Sequence, residues 1–90
     1  MRKDYLKTIE LCKKAISIQP GIVDMYTNVA AAYLSTGSLY SGIAYLYKAI
    51  AVDPEFVKSY EFLATAYSGM GKTDSAKKYQ GLAQKNKMGL

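Results

Sequence analysis

The sequence predicts an all-α protein, a stack of antiparallel helix pairs with five helices in one domain of 90 residues. Three observations predict it. The chain repeats itself with a period of 34 residues: Tyr26, Ala30, Ala32, Tyr33, Gly37 and Ala49 are followed by Tyr60, Ala64, Ala66, Tyr67, Gly71 and Ala83. A fixed period of that length marks a stack of similar units. Going back by the same step, Pro54 falls on Pro20 and Ala49 on Ala15. Apolar residues recur at steps of three and four, the spacing of a helix face. Pro20-Gly21, Gly37, Asp53-Pro54 and Gly71 stand between these segments as breakers.

The period divides the chain into a lone second helix of a partial unit (1–21), a full unit (22–54) and a second full unit ending in a polar helix (55–88). A chain this short is near the lower limit for a self-sufficient core, and repeat stacks generally need about three units.

The first helix runs from Lys3 to about Gln19, with Tyr5, Ile9, Cys12, Ala15 and Ile16 on one face. Pro20-Gly21 ends it. Because the first helix of its unit is missing, the side meant for that partner is expected to be open, and Leu6, Ile9 and Ile16 are the residues assigned to it. Cys12 is read as a small buried hydrophobe. A reactive thiol would need a nearby base or helix N-terminus to lower its pKa.

The second helix runs from Asp24 to about Thr36, with Asp24 as its N-cap or a first-turn acid. Tyr26, Val29, Ala30 and Tyr33 face the core. Gly37 ends the helix and Ser38 is placed to cap the next. The third helix spans Leu39 to Val52, with Leu39, Ile43, Leu46, Ala49 and Ile50 inward. Its outward positions are Tyr40, Ala44, Tyr47 and Ala51. The matching positions are Leu6, Glu10, Lys13 and Ser17 in the first helix, and Asp74, Lys78, Gly81 and Lys85 in the last. Those two sets are mostly polar; the central one is not. A helix apolar on both faces is normally buried, and an exposed apolar patch rich in Tyr marks an interaction surface. Against that stands the plainer alternative that Ala and Tyr are simply tolerated on a solvated face.

The fourth helix, Val57 to about Met70, repeats the core set as Tyr60, Leu63, Ala64 and Tyr67. The fifth, Thr73 to about Lys87, turns Ala76, Tyr79 and Ala83 inward and is otherwise rich in Lys, Gln and Ser. That polarity suits a capping helix with no further unit to cover. Gly81 in its interior costs about 1 kcal/mol against Ala, so this helix should fray.

The order aromatic, two residues, aliphatic, small, two residues, Tyr occurs as Tyr26-x-x-Val29-Ala30-x-x-Tyr33 and as Tyr60-x-x-Leu63-Ala64-x-x-Tyr67. A Gly follows four residues after each Tyr. The chain thereby resembles the tetratricopeptide repeat family over nearly its whole length. It departs at Thr8 and Gly42, where a small Ala is usual, at Cys12 and Gln80, where a large apolar residue is usual, and in the last unit, which lacks the Pro.

The resemblance implies a right-handed superhelical α-solenoid. Its concave groove, lined by the first helix of each pair, would bind a segment of a partner protein. The register places Asp24, Thr27, Asn28, Ala31, Leu34 and Ser35 in that groove, with Lys58, Glu61, Phe62, Thr65 and Ser68. One subfamily clamps chaperone C-terminal carboxylates. Asn28 and Lys58 match two of its five clamp residues, and Phe62 replaces its Arg. A homo-oligomer is the alternative partner, through the first helix (Leu6, Ile9, Ile16) and the Tyr40/Ala44/Tyr47/Ala51 face.

Other function classes find no support in the residues. There is no His, which removes His-based acid–base catalysis and His metal ligation, and no metal or cofactor motif. Gly69-Met-Gly-Lys-Thr73 lacks the first Gly of a phosphate-binding loop, since position 66 is Ala, and it joins two helices. The chain is read as no enzyme. The net charge of +5 gathers in the first 20 residues and from Glu55 onward, with a single Arg, Arg2. This is not the one-face concentration of a nucleic-acid binder. No apolar run approaches the ~20 residues that span a bilayer, and the opening MRKDYLKTIE is too polar for a signal peptide. One Cys excludes an internal disulfide and fits a reducing compartment, with the cytoplasm as default.

Overall fold

The computed structural model describes residues 4–89. Among them five helices follow one another: α1 (Tyr5–Ile18), α2 (Val23–Ser35), α3 (Leu39–Val52), α4 (Val57–Gly69) and α5 (Thr73–Lys87). The expected start at Lys3 lies outside the described residues. Asp4 caps α1, its Oδ1 accepting the Lys7 N–H at 3.0 Å. Asp24 lies in the first turn of α2, where its charge suits the helix dipole, and the N-cap itself is Ile22. Ser38 occupies the N-cap of α3, but its side chain makes no capping bond.

The turn inside each unit explains its glycine. Gly37 has φ +83°, a left-handed conformation that favours Gly. Its N–H donates to the Leu34 carbonyl and the Ser38 N–H to Tyr33. This paired closure of the last helical turn is a Schellman motif. Gly71, with φ +74°, repeats it through Ser68 and Tyr67. The turn between units has its own tie. The Tyr26 hydroxyl donates to the Pro20 carbonyl at 2.6 Å, and Tyr60 does the same to Pro54. The matched Tyr and Pro of the repeat are therefore bonded partners that hold the entry angle of each unit.

Consecutive helices pack against each other, and α2 also touches α4. The core follows the period. Ala30, Ile43, Leu46, Leu63 and Ala66 form one buried cluster joining α2, α3 and α4. Ile9, Val29 and Ala32 form the preceding one between α1 and α2, with Cys12 and Ile16 packed on it. One period further on, Ile43 and Leu46 become Lys77 and Gln80, both exposed. The apolar stacking therefore ends at α5. Leu46 and Leu63 are completely buried, and truncating either to Ala would cost about 2–5 kcal/mol.

Gly42 permits a close helix approach. A Cβ there would sit 2.7 Å from Leu34 Cδ2 and 3.3 Å from the Ala30 carbonyl oxygen. Helix α5 runs unbroken through Gly81, which is exposed. No helix among the described residues is long and apolar enough to cross a membrane.

Candidate protein-binding surfaces

The first helices of the two full units, α2 and α4, touch each other, and the groove expected from the register would be lined by their outer residues. Asp24, Asn28 and Ser35 of α2 and Lys58, Glu61, Thr65 and Ser68 of α4 are exposed. Ala31, Leu34 and Phe62 are half-buried, with Leu34 and Phe62 resting on the central apolar cluster. Thr27 does not belong to this face. It is 2 % exposed, and its hydroxyl donates to the Asp24 carbonyl at 3.1 Å. That internal bond satisfies the hydroxyl and lets a polar residue be buried.

Charge on this face is partly neutralised from within. The Lys87 ammonium of α5 meets the Glu61 carboxylate at 3.1 Å. Both side chains are well exposed, so the pair adds little stability, but it pulls Glu61 toward α5. Lys58 makes no ion pair among the described residues. The sequence could not show the Glu61–Lys87 contact, because its partners are 26 residues apart on different helices.

The opposite face of α3 divides into two parts. Tyr40 is 76 % exposed, and Ala44 and Ala51 are exposed beside it. Tyr47 leans instead across the junction between units. Its hydroxyl is 2.8 Å from that of Tyr67 and 2.9 Å from that of Tyr79. The Tyr67 and Tyr79 rings stack at 5.6 Å, and Tyr47 meets Tyr79 edge-on. Partial burial, then the bonds to Tyr67 and Tyr79, hold the Tyr47 phenol well above the usual tyrosine pKa. The preceding junction holds the 34-residue counterparts of these three tyrosines. They are Lys13, Tyr33 and Tyr45, with the two rings 5.9 Å apart and the Lys13 ammonium 6.0 Å from the Tyr45 centroid. Tyr47 is thus a joint between units and, at 42 % exposed, also remains on the outward face of α3.

The open side of α1 also differs from expectation. Ile9 is buried and Ile16 half-buried, both against Val29 and Ala32 of α2. They face the neighbour that is present. Leu6 is exposed on the outer side. The apolar residues left uncovered are Leu11, 57 % exposed, and Ile18, 72 % exposed. At the N-terminal end of α1 a cleft runs between α1 and α2, lined by Tyr5 and Thr8 on one wall and Asn28, Ala31 and Ser35 on the other. Sequence reasoning missed Leu11 and Ile18, although the period already pairs them with Tyr45 and Val52.

Among the described residues no group of three or more His, Cys, Asp or Glu is placed to hold a metal. The surfaces available for recognition are helix faces that carry amide, ammonium, hydroxyl and apolar contacts.

Comparison with known proteins agrees with this architecture. The tetratricopeptide repeat family profile matches residues 23–56 and 57–87. These are the two full units, each beginning at the first helix of a pair. No curated relative matches the chain. Among solved structures, one of MamA superimposes with a TM-score of 0.84 at 29% identity, covering 89% of this chain and 47% of that one. A structure of MamA of AMB-1 gives a TM-score of 0.88 at 20% identity, covering 96% and 51%. The chain thus spans about half the length of these solved chains. Five helices in register, two matched units and shared fold make this chain a member of the tetratricopeptide repeat family, a helical-repeat module for protein–protein interaction.

Proposed function

We propose that the chain is a non-catalytic binding module that takes a segment of a partner protein on the face shared by α2 and α4. One observation carries the reading: a row of exposed polar side chains, Asn28, Ser35, Lys58 and Thr65, flanks the half-buried apolar edges of Leu34 and Phe62. Amide and hydroxyl groups suit the backbone of a bound segment, and the apolar edges suit its side chains. With Glu61 drawn to Lys87, Lys58 is the cation to which an acidic residue of the partner would bind. Phe62 stands where a carboxylate clamp would need a bidentate donor, so recognition of an internal segment fits better than capture of a free C-terminus. The single thiol, Cys12, fits a reducing compartment.

The test is a peptide selection on the immobilised chain. Binding of the selected peptides is then measured to Lys58→Glu and Phe62→Ala. Each substitution is expected to weaken binding by about tenfold while leaving the mass in solution unchanged. Retention of full affinity by both variants would remove the α2/α4 face from consideration.

A second reading is self-association through α3. It rests on the exposure of Tyr40, Ala44 and Ala51 on one face. Light scattering over a concentration series should then report a dimer or larger species that Tyr40→Glu converts to monomer. A monomer at every concentration removes this reading.

A further inference from the structure

Tyr47, Tyr67 and Tyr79 come from three helices, α3, α4 and α5, and meet at one oxygen. The Tyr47 hydroxyl is 2.8 Å from that of Tyr67 and 2.9 Å from that of Tyr79. The Tyr67 and Tyr79 rings are stacked, 5.6 Å between centroids and 9° from parallel. Because both hydroxyls turn to one oxygen, the hydroxyl ends of the two rings are brought together. With them come the carbons ortho to each hydroxyl, the Cε atoms. Both rings are half-buried, and the half-open Tyr47 connects them to solvent. The 34-residue period supplies a contrast within the molecule. One unit earlier the three positions are Lys13, Tyr33 and Tyr45. Those rings are tilted by 31°. The group in place of the Tyr47 phenol is an ammonium, which has no lone pair to accept a proton. Tyr45 also lies under two cations, Lys48 at 4.6 Å and Lys13 at 6.0 Å from its centroid, where Tyr79 has only Lys78 at 5.4 Å. A nearby cation opposes removal of an electron from a ring.

We propose that Tyr67 and Tyr79 are an oxidative modification site, at which the two phenols couple to a dityrosine that ties α4 to α5. The oxidant is of the peroxidase class, a haem enzyme with hydrogen peroxide, which removes one electron at a time. Each phenol gives one electron to the oxidant and its O–H proton to the Tyr47 oxygen, which passes a proton on to water. The two phenoxyl radicals then join, Cε to Cε. The hydrogen on each joined carbon leaves to water, and each oxygen regains a proton. The protein loses two hydrogen atoms in all, and one hydrogen peroxide becomes two waters. Tyr60 also stacks on Tyr79, at 6.4 Å, but its hydroxyl is bonded to the Pro54 carbonyl rather than to Tyr47. It therefore lacks the shared acceptor. The link spans the turn at Gly71 and fastens α5, the helix weakened by Gly81, onto α4. None of the three tyrosines belongs to the α2/α4 face, so the site is independent of peptide binding there.

The full chain is treated with a haem peroxidase and hydrogen peroxide, and the monomer is recovered by size. Intact mass, dityrosine fluorescence and fragmentation of the proteolysed monomer then locate the link. A monomer lighter by two hydrogen atoms is expected, with Tyr67 joined to Tyr79. Tyr67→Phe and Tyr79→Phe should each abolish that species, and Tyr45→Phe should leave its yield unchanged. Tyr47→Phe should slow its formation by about tenfold, at the low side of general-base assistance because water reaches the site. Circular dichroism melts of each variant establish that it is folded. The linked monomer should melt at a higher temperature than the untreated chain, because the link restricts the unfolded state. The proposal is overturned if the monomer gains no link, if the link survives Tyr67→Phe or Tyr79→Phe, or if Tyr33 and Tyr45 couple as readily. Links found only between copies, through the exposed Tyr40, overturn it as well. An unchanged rate in Tyr47→Phe would remove Tyr47 as the proton acceptor.

Discussion

Replacing Tyr47 with Phe removes one oxygen atom and isolates what that hydroxyl does between the units. The oxygen takes part in two hydrogen bonds, at 2.8 Å to Tyr67 and 2.9 Å to Tyr79. A neutral intramolecular hydrogen bond contributes about 0.5–1.5 kcal/mol net. Tyr47 is 42 % exposed, so water reaches the freed hydroxyls and each bond falls at the lower end of that range. The expected loss is about 1 kcal/mol, or a fall of about 4–8 °C in Tm for a domain of this size. Tyr47→Ala also deletes the edge-on contact with the Tyr79 ring, 6.4 Å between centroids. Ring pairing of this kind is worth a further 0.5–1.5 kcal/mol or so beyond area burial. Tyr40→Phe is the control, because Tyr40 lies about two turns away on the same helix and is 76 % exposed. Urea unfolding followed by far-ultraviolet circular dichroism reads all three. If Tyr47→Phe loses no more stability than Tyr40→Phe, the hydroxyl trio does not join the units.

Alkaline titration probes the same joint. The Tyr47 phenol is raised in the folded state by burial and by its bonds to Tyr67 and Tyr79. Its contribution is therefore complete below the unfolded value of about 10 and is lost as pH rises beyond it. Tyr47→Phe should flatten the fall in stability above that pH, and an unchanged slope would contradict the assignment. Gly42→Ala sets a helix-propensity gain of about 1 kcal/mol against overpacking on Leu34 of about 1–3 kcal/mol. It should destabilise alone and stabilise in combination with Leu34→Ala, and additive effects in that double-mutant cycle would refute direct contact. Gly81→Ala, at an exposed site with open space around the added methyl, should stabilise by about 1 kcal/mol. A destabilisation would mean that α5 uses that glycine for a contact.

The period made most of the fold legible. The core residues of α2 have their counterparts in α4, and Gly37, Gly71, Pro20 and Pro54 locate the turns. Helix α3 begins and ends where the sequence places it, at Leu39 and Val52, and so does α5, at Thr73 and Lys87. The misplaced residues share a physical cause: a helical wheel shows which residues share a face, not which neighbour that face meets. The sequence places Ile9 and Ile16 on the open side of α1, yet that apolar stripe packs on α2. Tyr47 points outward from its own helix pair, but its partners come from the next unit, 20 and 32 residues away. Its alignment with Lys13, and of Tyr67 and Tyr79 with Tyr33 and Tyr45, was the signal available. Thr27 was hidden by residue type, since a Thr that bonds its own helix backbone is buried as readily as an apolar residue.

Binding on the proposed α2/α4 face can be tested directly. Amide chemical-shift perturbation, measured while a selected peptide is titrated into the labelled chain, maps the bound segment residue by residue. The largest shifts are expected at Asn28, Ala31, Ser35, Lys58, Phe62 and Thr65, abolished by Lys58→Glu with Phe62→Ala. Shifts confined to Tyr40, Ala44 and Ala51 on the far side of α3 would contradict this reading and make that face the site of recognition.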